Sequence, residues 1–164
     1  MGSANEKYVV RASARIQAAP ERVYAIIADY RNGHPHILPK QFRGLTVEQG
    51  GAGAGTIIRF EMKAFGTTQR FRASVSEPAP GRVLVETNLE GNDAVTTFTV
   101  DPGPSEGTAD VVISTEAGSR SGLAGAIERL LSRRYLRSVY ARELALLAER
   151  AASESLADDL SFLK

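Results

Sequence analysis

The chain contains no cysteine, which excludes disulfides, thiol nucleophiles and thiolate metal sites. It contains no tryptophan, two methionines and two histidines. With so few soft or imidazole ligands, a metal centre would need a third ligand converging from elsewhere, and none is read here. No cofactor motif is read either. No apolar run approaches the ~18–20 residues of a membrane-spanning helix. A charge excess of one sign is also missing. Twenty Lys and Arg against 19 Asp and Glu leave a net charge of +1, and nothing in that balance calls for nucleic acid. Met1–Lys7 is polar and lacks the apolar stretch of a signal peptide. The expectation is a cytoplasmic protein without stable membrane insertion, a monomer or homodimer.

What is present is a chain of 164 residues, 43% of them hydrophobic, enough to bury a normal core. Tyr8 to Ile16 alternates apolar and polar and reads as a half-buried strand. Pro20 opens a helix at a position where its missing N–H costs nothing. Val23, Tyr24, Ile26, Ile27 and Tyr30 make much of its surface apolar. Asn32-Gly33 is expected to end that helix, with Gly33 as a left-handed cap. His34 to Leu38 reads as a short second helical turn closed by Pro39.

From Phe42 the period becomes two. Strands are expected over 42–48, 56–65, 68–76, 82–89, 95–100 and 111–115. Short turns separate most of them, including Gly50–Gly55, Gly66-Thr67 and Pro78–Gly81. Ile58, Phe60 and Met62 share one face, as do Phe71, Ala73 and Val75, and Thr96, Phe98 and Val100. In 82–89 the register is open, because Val83, Val85 and Leu89 compete with Leu84 and Glu86 for the inner side.

Ser121 to about Ala152 contains no proline and reads as one long helix, roughly 45–48 Å at about 1.5 Å per residue. Ser121 is its expected N-cap. Leu123, Ile127, Leu130 and Leu131 share a face, then Leu136, Tyr140, Leu144 and Leu147. Arg134 and Arg137 follow Ile127 and Leu130 by seven residues, close to the same stripe. Arg129, Arg133 and Arg137 stack at four-residue steps. The preferred reading is a solvated basic ridge; the alternatives are an Arg134 or Arg137 turned into a cavity, or a patch for an anionic surface. A domain is expected over 1–152, with 153–164 as a tail in which Leu156, Leu160 and Leu163 form a short amphipathic turn.

The element order is β-α-α, six strands, then the long helix. Together with Ala19-Pro20-Glu21-Arg22-Val23-Tyr24-Ala25-Ile26-Ile27-Ala28-Asp29-Tyr30, Gly55-Thr56-Ile57-Ile58-Arg59-Phe60, Glu77-Pro78 with Pro80-Gly81-Arg82, and Thr97-Phe98-Thr99-Val100-Asp101-Pro102, it resembles the START-like (SRPBCC) superfamily. The polyketide cyclase/dehydratase-like bacterial branch is the most similar, over about residues 7–150. The resemblance implies an α+β helix-grip fold, a seven-stranded curved antiparallel sheet wrapped around the long C-terminal helix. It also implies a cavity for a lipid, polyketide or other hydrophobic small molecule. The matching motifs specify turns and strands, and carry no catalytic signature.

What transfers from the resemblance is a place: the inner sheet face, the first two helices and the start of the last. The ligand-binding residues it implies are Ile27, Tyr30, Ile37, Phe60, Met62, Phe71, Thr96, Phe98, Leu123, Ile127, Leu130 and Arg134. His34, His36 and Glu86 are the candidate proton carriers, with Asp29 near the histidine pair. Glu86 is read as outward and solvated. Turned inward, it would need a cation such as Arg134 or Arg137, or its pKa would rise. The Gly50–Gly55 stretch lacks the Lys-Ser/Thr of a phosphate loop and leads into a strand, so it reads as a hairpin turn. Two functions stay open: binding or carriage of a hydrophobic small molecule, and a cyclase/dehydratase-type enzyme using the same cavity. A protein-interaction subunit using the basic ridge is the least favoured reading.

Overall fold

The computed structural model describes residues 6–119 and 122–161, and of Ile127 only the backbone. Seven strands, β1 (Glu6–Ile16), β2 (Phe42–Gln49), β3 (Ile57–Ala64), β4 (Thr67–Ala79), β5 (Val83–Asn88), β6 (Val95–Pro102) and β7 (Ala109–Ser119), form one antiparallel sheet. The spatial order is β1-β7-β6-β5-β4-β3-β2. The last six strands are therefore a meander, and the first closes onto the last. Helix α1 (Pro20–Ala28) and a 3-10 turn (His34–His36) lie between β1 and β2, and α2 (Gly122–Ser161) ends the described chain.

Period-two patterning does what it should. Val10 and Ile16 of β1, Ile58 of β3, Ala73 and Val75 of β4, Leu84 of β5, Phe98 and Val100 of β6, and Val111 and Ile113 of β7 are buried on one face. The outer face carries ladders of opposite charge such as Arg15–Asp110 and Arg82–Asp101. The inner face meets Val139, Tyr140, Leu144, Leu147 and Ala151 of α2. No described helix is long and apolar enough to cross a membrane.

Several boundaries differ from expectation for physical reasons. β7 runs from Ala109 to Ser119 because all eleven residues of β1 pair with it, so Gly118 lies in the strand instead of leading out of it. α1 stops at Ala28, where Asp29 takes over: its Oδ1 accepts the N–H groups of Arg31 and Asn32, and its backbone carbonyl accepts those of Gly33 and His34. Asp29 is thus a turn residue. Gly33 is right-handed, at φ −100°, so it is not the expected left-handed cap. Its lack of a side chain matters because a Cβ there would sit 2.4 Å from the Ile26 carbonyl oxygen. The residues expected as a tail continue α2 to Ser161 instead, with Leu156 and Leu160 exposed. Ser121 and Leu163 lie outside the described residues.

The glycine-rich turn after β2 is more than a hairpin connection. Tyr30 N–H donates to Gly51 O at 2.9 Å, and Gly53 N–H donates to Ala28 O at 3.0 Å. Glu77 ties the same region together, accepting from Tyr24 Oη at 2.6 Å and from Ala54 N–H at 2.8 Å. These bonds fix the end of α1 over the sheet, and with it Tyr30 and His34.

Candidate functional site

Between the inner face of the sheet and the first half of α2 lies a cavity of about 670 Å³. Its existence follows from how the apolar side chains are distributed. The second half of α2 packs Leu144 and Leu147 into the core, whereas the first half lies over β-strand faces that carry Phe60, Met62 and Phe71. One wall is aromatic: Phe42 meets Phe60 edge-on at 5.8 Å, and Phe60 stacks on Phe71 at 5.1 Å. Ile58, Met62, Ala73 and Phe98 continue it. Exposed Phe65, Ala124, Glu128 and Leu131 form the rim. There Phe65 sits against the ring of Tyr135 at 4.9 Å.

A second part of the wall is polar. Tyr30 Oη donates to Glu86 Oε1 at 2.5 Å. His34 is buried, stacked on Tyr30 at 4.6 Å and edge-on to Phe98. Its Nδ1 lies 2.7 Å from Ile27 O, and a carbonyl only accepts, so Nδ1 carries the proton. Nε2 faces Glu86 Oε1 at 3.8 Å, beyond direct hydrogen bonding. Thr96, Thr115 and Tyr140 form a hydroxyl chain at 2.8 and 2.6 Å. Glu143 lines the cavity at 2% exposure, and no described residue hydrogen-bonds its carboxyl. Burial, reinforced by the nearby charge of Glu86, pushes it well above the usual carboxylate range. Burial likewise raises Tyr30, with Glu86 adding to the effect. Asn88 gives its amide hydrogens to Glu90 O and Asn92, leaving Oδ1 as a buried acceptor with no donor among the described residues.

Of the residues implied for ligand binding, Phe60, Met62, Phe71, Thr96 and Phe98 line the cavity, as do His34 and Glu86. Tyr30 reaches it through Glu86. Ile27 and Ile37 do not line it; they are wholly buried in the core beneath it. Leu123 and Leu130 are 80% and 67% exposed, and Arg134 and Arg137 are exposed as well. The side chain of Ile127 is outside the described residues. The first half of α2 meets the cavity through Ala124, Glu128, Leu131, Ser132, Tyr135 and Leu136; Leu131 and Leu136 belong to the expected stripes, and the others lie one residue on from Leu123, Ile127, Leu131 and Arg134. One residue is about 100° of rotation, enough to carry Leu123, Leu130 and Arg134 out to solvent. Arg129 is held by Glu6 at 2.5 Å instead of joining a free ridge.

His36 is exposed while His34 is buried, so the pair does not converge. Glu86 is a correction: it points inward, beside buried Leu84, and Val83 and Val85 take the other face. Its partners are Tyr30 and His34, not an arginine. Glu143 was not anticipated. The available signal was a charged residue beside Leu144 and four before Leu147, inside an otherwise apolar stripe.

The sequence matches the family model described as polyketide cyclase/dehydrase and lipid transport over residues 7–152. No curated protein sequence matches it. Among solved structures it is similar to the KanY protein, with a TM-score of 0.79 and 25% identity over 90% of this chain and 99% of that one. It is also similar to TTHA0849 of Thermus thermophilus, with a TM-score of 0.76 and 24% identity over 90% and 99% of the two chains. The Zhui aromatase/cyclase of Streptomyces shares the fold at a TM-score of 0.65 and 14% identity, over 91% and 93%.

Proposed function

The chain belongs to the polyketide cyclase/dehydrase and lipid transport family, and on that premise we propose that it binds or carries a hydrophobic small molecule between the sheet and α2. The observation that carries this reading is the cavity, about 670 Å³ with an aromatic wall and a few polar groups. That is the size and make-up of a site for a drug-sized ligand. A ligand burying about 300 Å² of apolar surface would gain roughly 7 kcal/mol before the costs of association, which leaves orientation to the polar groups.

The same cavity supports a second reading, a cyclase/dehydratase-type enzyme. It is favoured by one arrangement: His34 Nε2 facing Glu86, with the Glu143 carboxyl in the same chamber. An imidazole and a carboxyl whose pKa burial raises, lining one apolar space, are the parts of a proton relay. The two readings share the pocket and differ in whether bound molecules change.

Nile red, a neutral solvatochromic dye, tests the binding reading. Wild-type protein is expected to shift its emission to the blue, and Ala73→Trp, which fills the cavity floor, to abolish most of that shift. Native mass spectrometry of gently purified protein is expected to show a retained apolar molecule. An unshifted dye together with a bare mass would refute the reading.

A further inference from the structure

The described residues that line the interior of the cavity include two glutamates, Glu86 and Glu143, one histidine, and no lysine or arginine, with Glu128 out on the exposed rim. The chain as a whole is balanced, with 20 Lys and Arg against 19 Asp and Glu. The cations have been kept to the outside, where Arg15, Arg59, Arg72 and Arg82 pair with outer-face carboxylates. Acceptors are in excess inside. Tyr30 engages Glu86 through Oε1, while Oε2 has no donor among the described residues. The Glu143 carboxyl is 2% exposed and has no hydrogen-bond partner among them. Asn88 Oδ1 is a further buried acceptor without a donor. A buried carboxyl left without a partner is costly, and a low-dielectric wall makes its field strong.

Resting on the cavity-binding reading, the geometry points to a hydrophobic amine as the ligand, its protonated nitrogen held between Glu86 and Glu143 and its apolar body against Phe60 and Phe71. An ammonium group brings donors only, which is what this wall lacks. A carboxylate ligand would meet two carboxyls and no cation. A neutral alcohol could satisfy Glu143 but would leave the charge of Glu86 unbalanced. Burial favours the protonated form of Glu143, and an entering ammonium favours loss of that proton to solvent, which leaves the cation between two carboxylates. The titratable groups that interact with Glu143 are Glu86 on β5, Tyr30 beyond α1 and Tyr140 on α2 itself, while His34 lines the same cavity and faces Glu86.

Three probes sharing one ring system decide the matter: 2-(2-naphthyl)ethylamine, 2-(2-naphthyl)ethanol and 2-naphthylacetate, titrated by calorimetry at pH 7. The amine is expected to bind at least about tenfold more tightly than the alcohol, as charge-assisted hydrogen bonds imply, and the acetate most weakly. In two buffers of different ionisation heat, amine binding should release more protons with wild type than with Glu143→Gln. Glu143→Gln and Glu86→Gln should each lower the amine-to-alcohol preference about tenfold, while alcohol binding reports that the cavity is intact. If either variant fails to fold, the three wild-type affinities decide alone. An alcohol that binds as tightly as the amine, or a preference unchanged in both variants, overturns the inference and leaves the cavity reading standing. Binding of none of the three overturns the inference, and Nile red then tells whether the cavity reading falls with it.

Discussion

Glu143 sits where an acid is least at home. It is buried, and its folded-state pKa is raised well above the ordinary carboxylate value of 4.5 by desolvation first and the like charge of Glu86 second. A group whose folded pKa is raised binds its proton more tightly in the folded chain. Its contribution to stability is therefore full below about pH 4.5 and is lost as pH rises through the folded pKa. Glu143→Gln removes that titration. The variant's stability relative to wild type should therefore climb above pH 4.5, by up to about 1.4 kcal/mol per pH unit while the native carboxyl stays protonated. Urea unfolding of both proteins from pH 4 to 8 checks this, and parallel curves would refute it. At this scale the sequence was half legible. Alternation placed Phe60, Met62, Phe71 and Phe98 on the inner face, and all four line the cavity. The inward turn of Glu86 was not legible, because Val83 and Val85 offer an equally apolar alternative face. Only the register with β4 and β6, Glu86 opposite Val75 and Thr96, settles it.

Helix α2 is one element with two environments. From Val139 to Ala151 it is packed, and its buried side chains recur at three- and four-residue steps. Before that it roofs a void, and there the apolar residues are not confined to one face: Leu123 and Leu130 look outward while Glu128 and Ser132 line the cavity. Periodicity locates a helix face only where packing enforces it. This is why the second-half stripe was readable, whereas in the first half Leu131 lines the cavity and Leu123 and Leu130 do not. Beyond Ala151 the helix runs on to Ser161 with little beneath it. Arg22 reaches Asp158 at 2.7 Å, and Arg150 reaches Glu154 at 2.8 Å, both partly solvated. Such pairs contribute little, about 0–1 kcal/mol. Truncation after Ala152 is therefore expected to leave stability within about 1 kcal/mol of wild type by urea titration, with Nile red binding unchanged. A loss of several kcal/mol would show that the last turns hold the fold.

At the scale of the whole molecule, the architecture was the most legible layer. Turn chemistry at Gly50–Gly55 and Pro78–Gly81, with period-two strands between them, dictates a meander, and a sheet with one apolar face must cover it with the one long helix among the described residues. What patterning cannot reveal is how closely that cover fits, since Phe60 or Phe98 reads the same against a solid core as against a hollow. A hollow has a thermodynamic signature. Its lining forgoes dispersion contacts, so the empty protein is less stable than it would be when filled. A ligand that binds only the folded state adds about 2.7 kcal/mol at a hundredfold excess over Kd. For a chain of 150–250 residues each kcal/mol moves Tm by about 2–4 °C, so the expected shift is about 5–11 °C. Differential scanning calorimetry with the tightest-binding naphthyl probe at that excess measures it. The Ala73→Trp chain, whose cavity is already occupied by its own side chain, should show less than half the wild-type shift at the same probe concentration. An equal shift in both proteins would place the probe somewhere other than the space between sheet and helix.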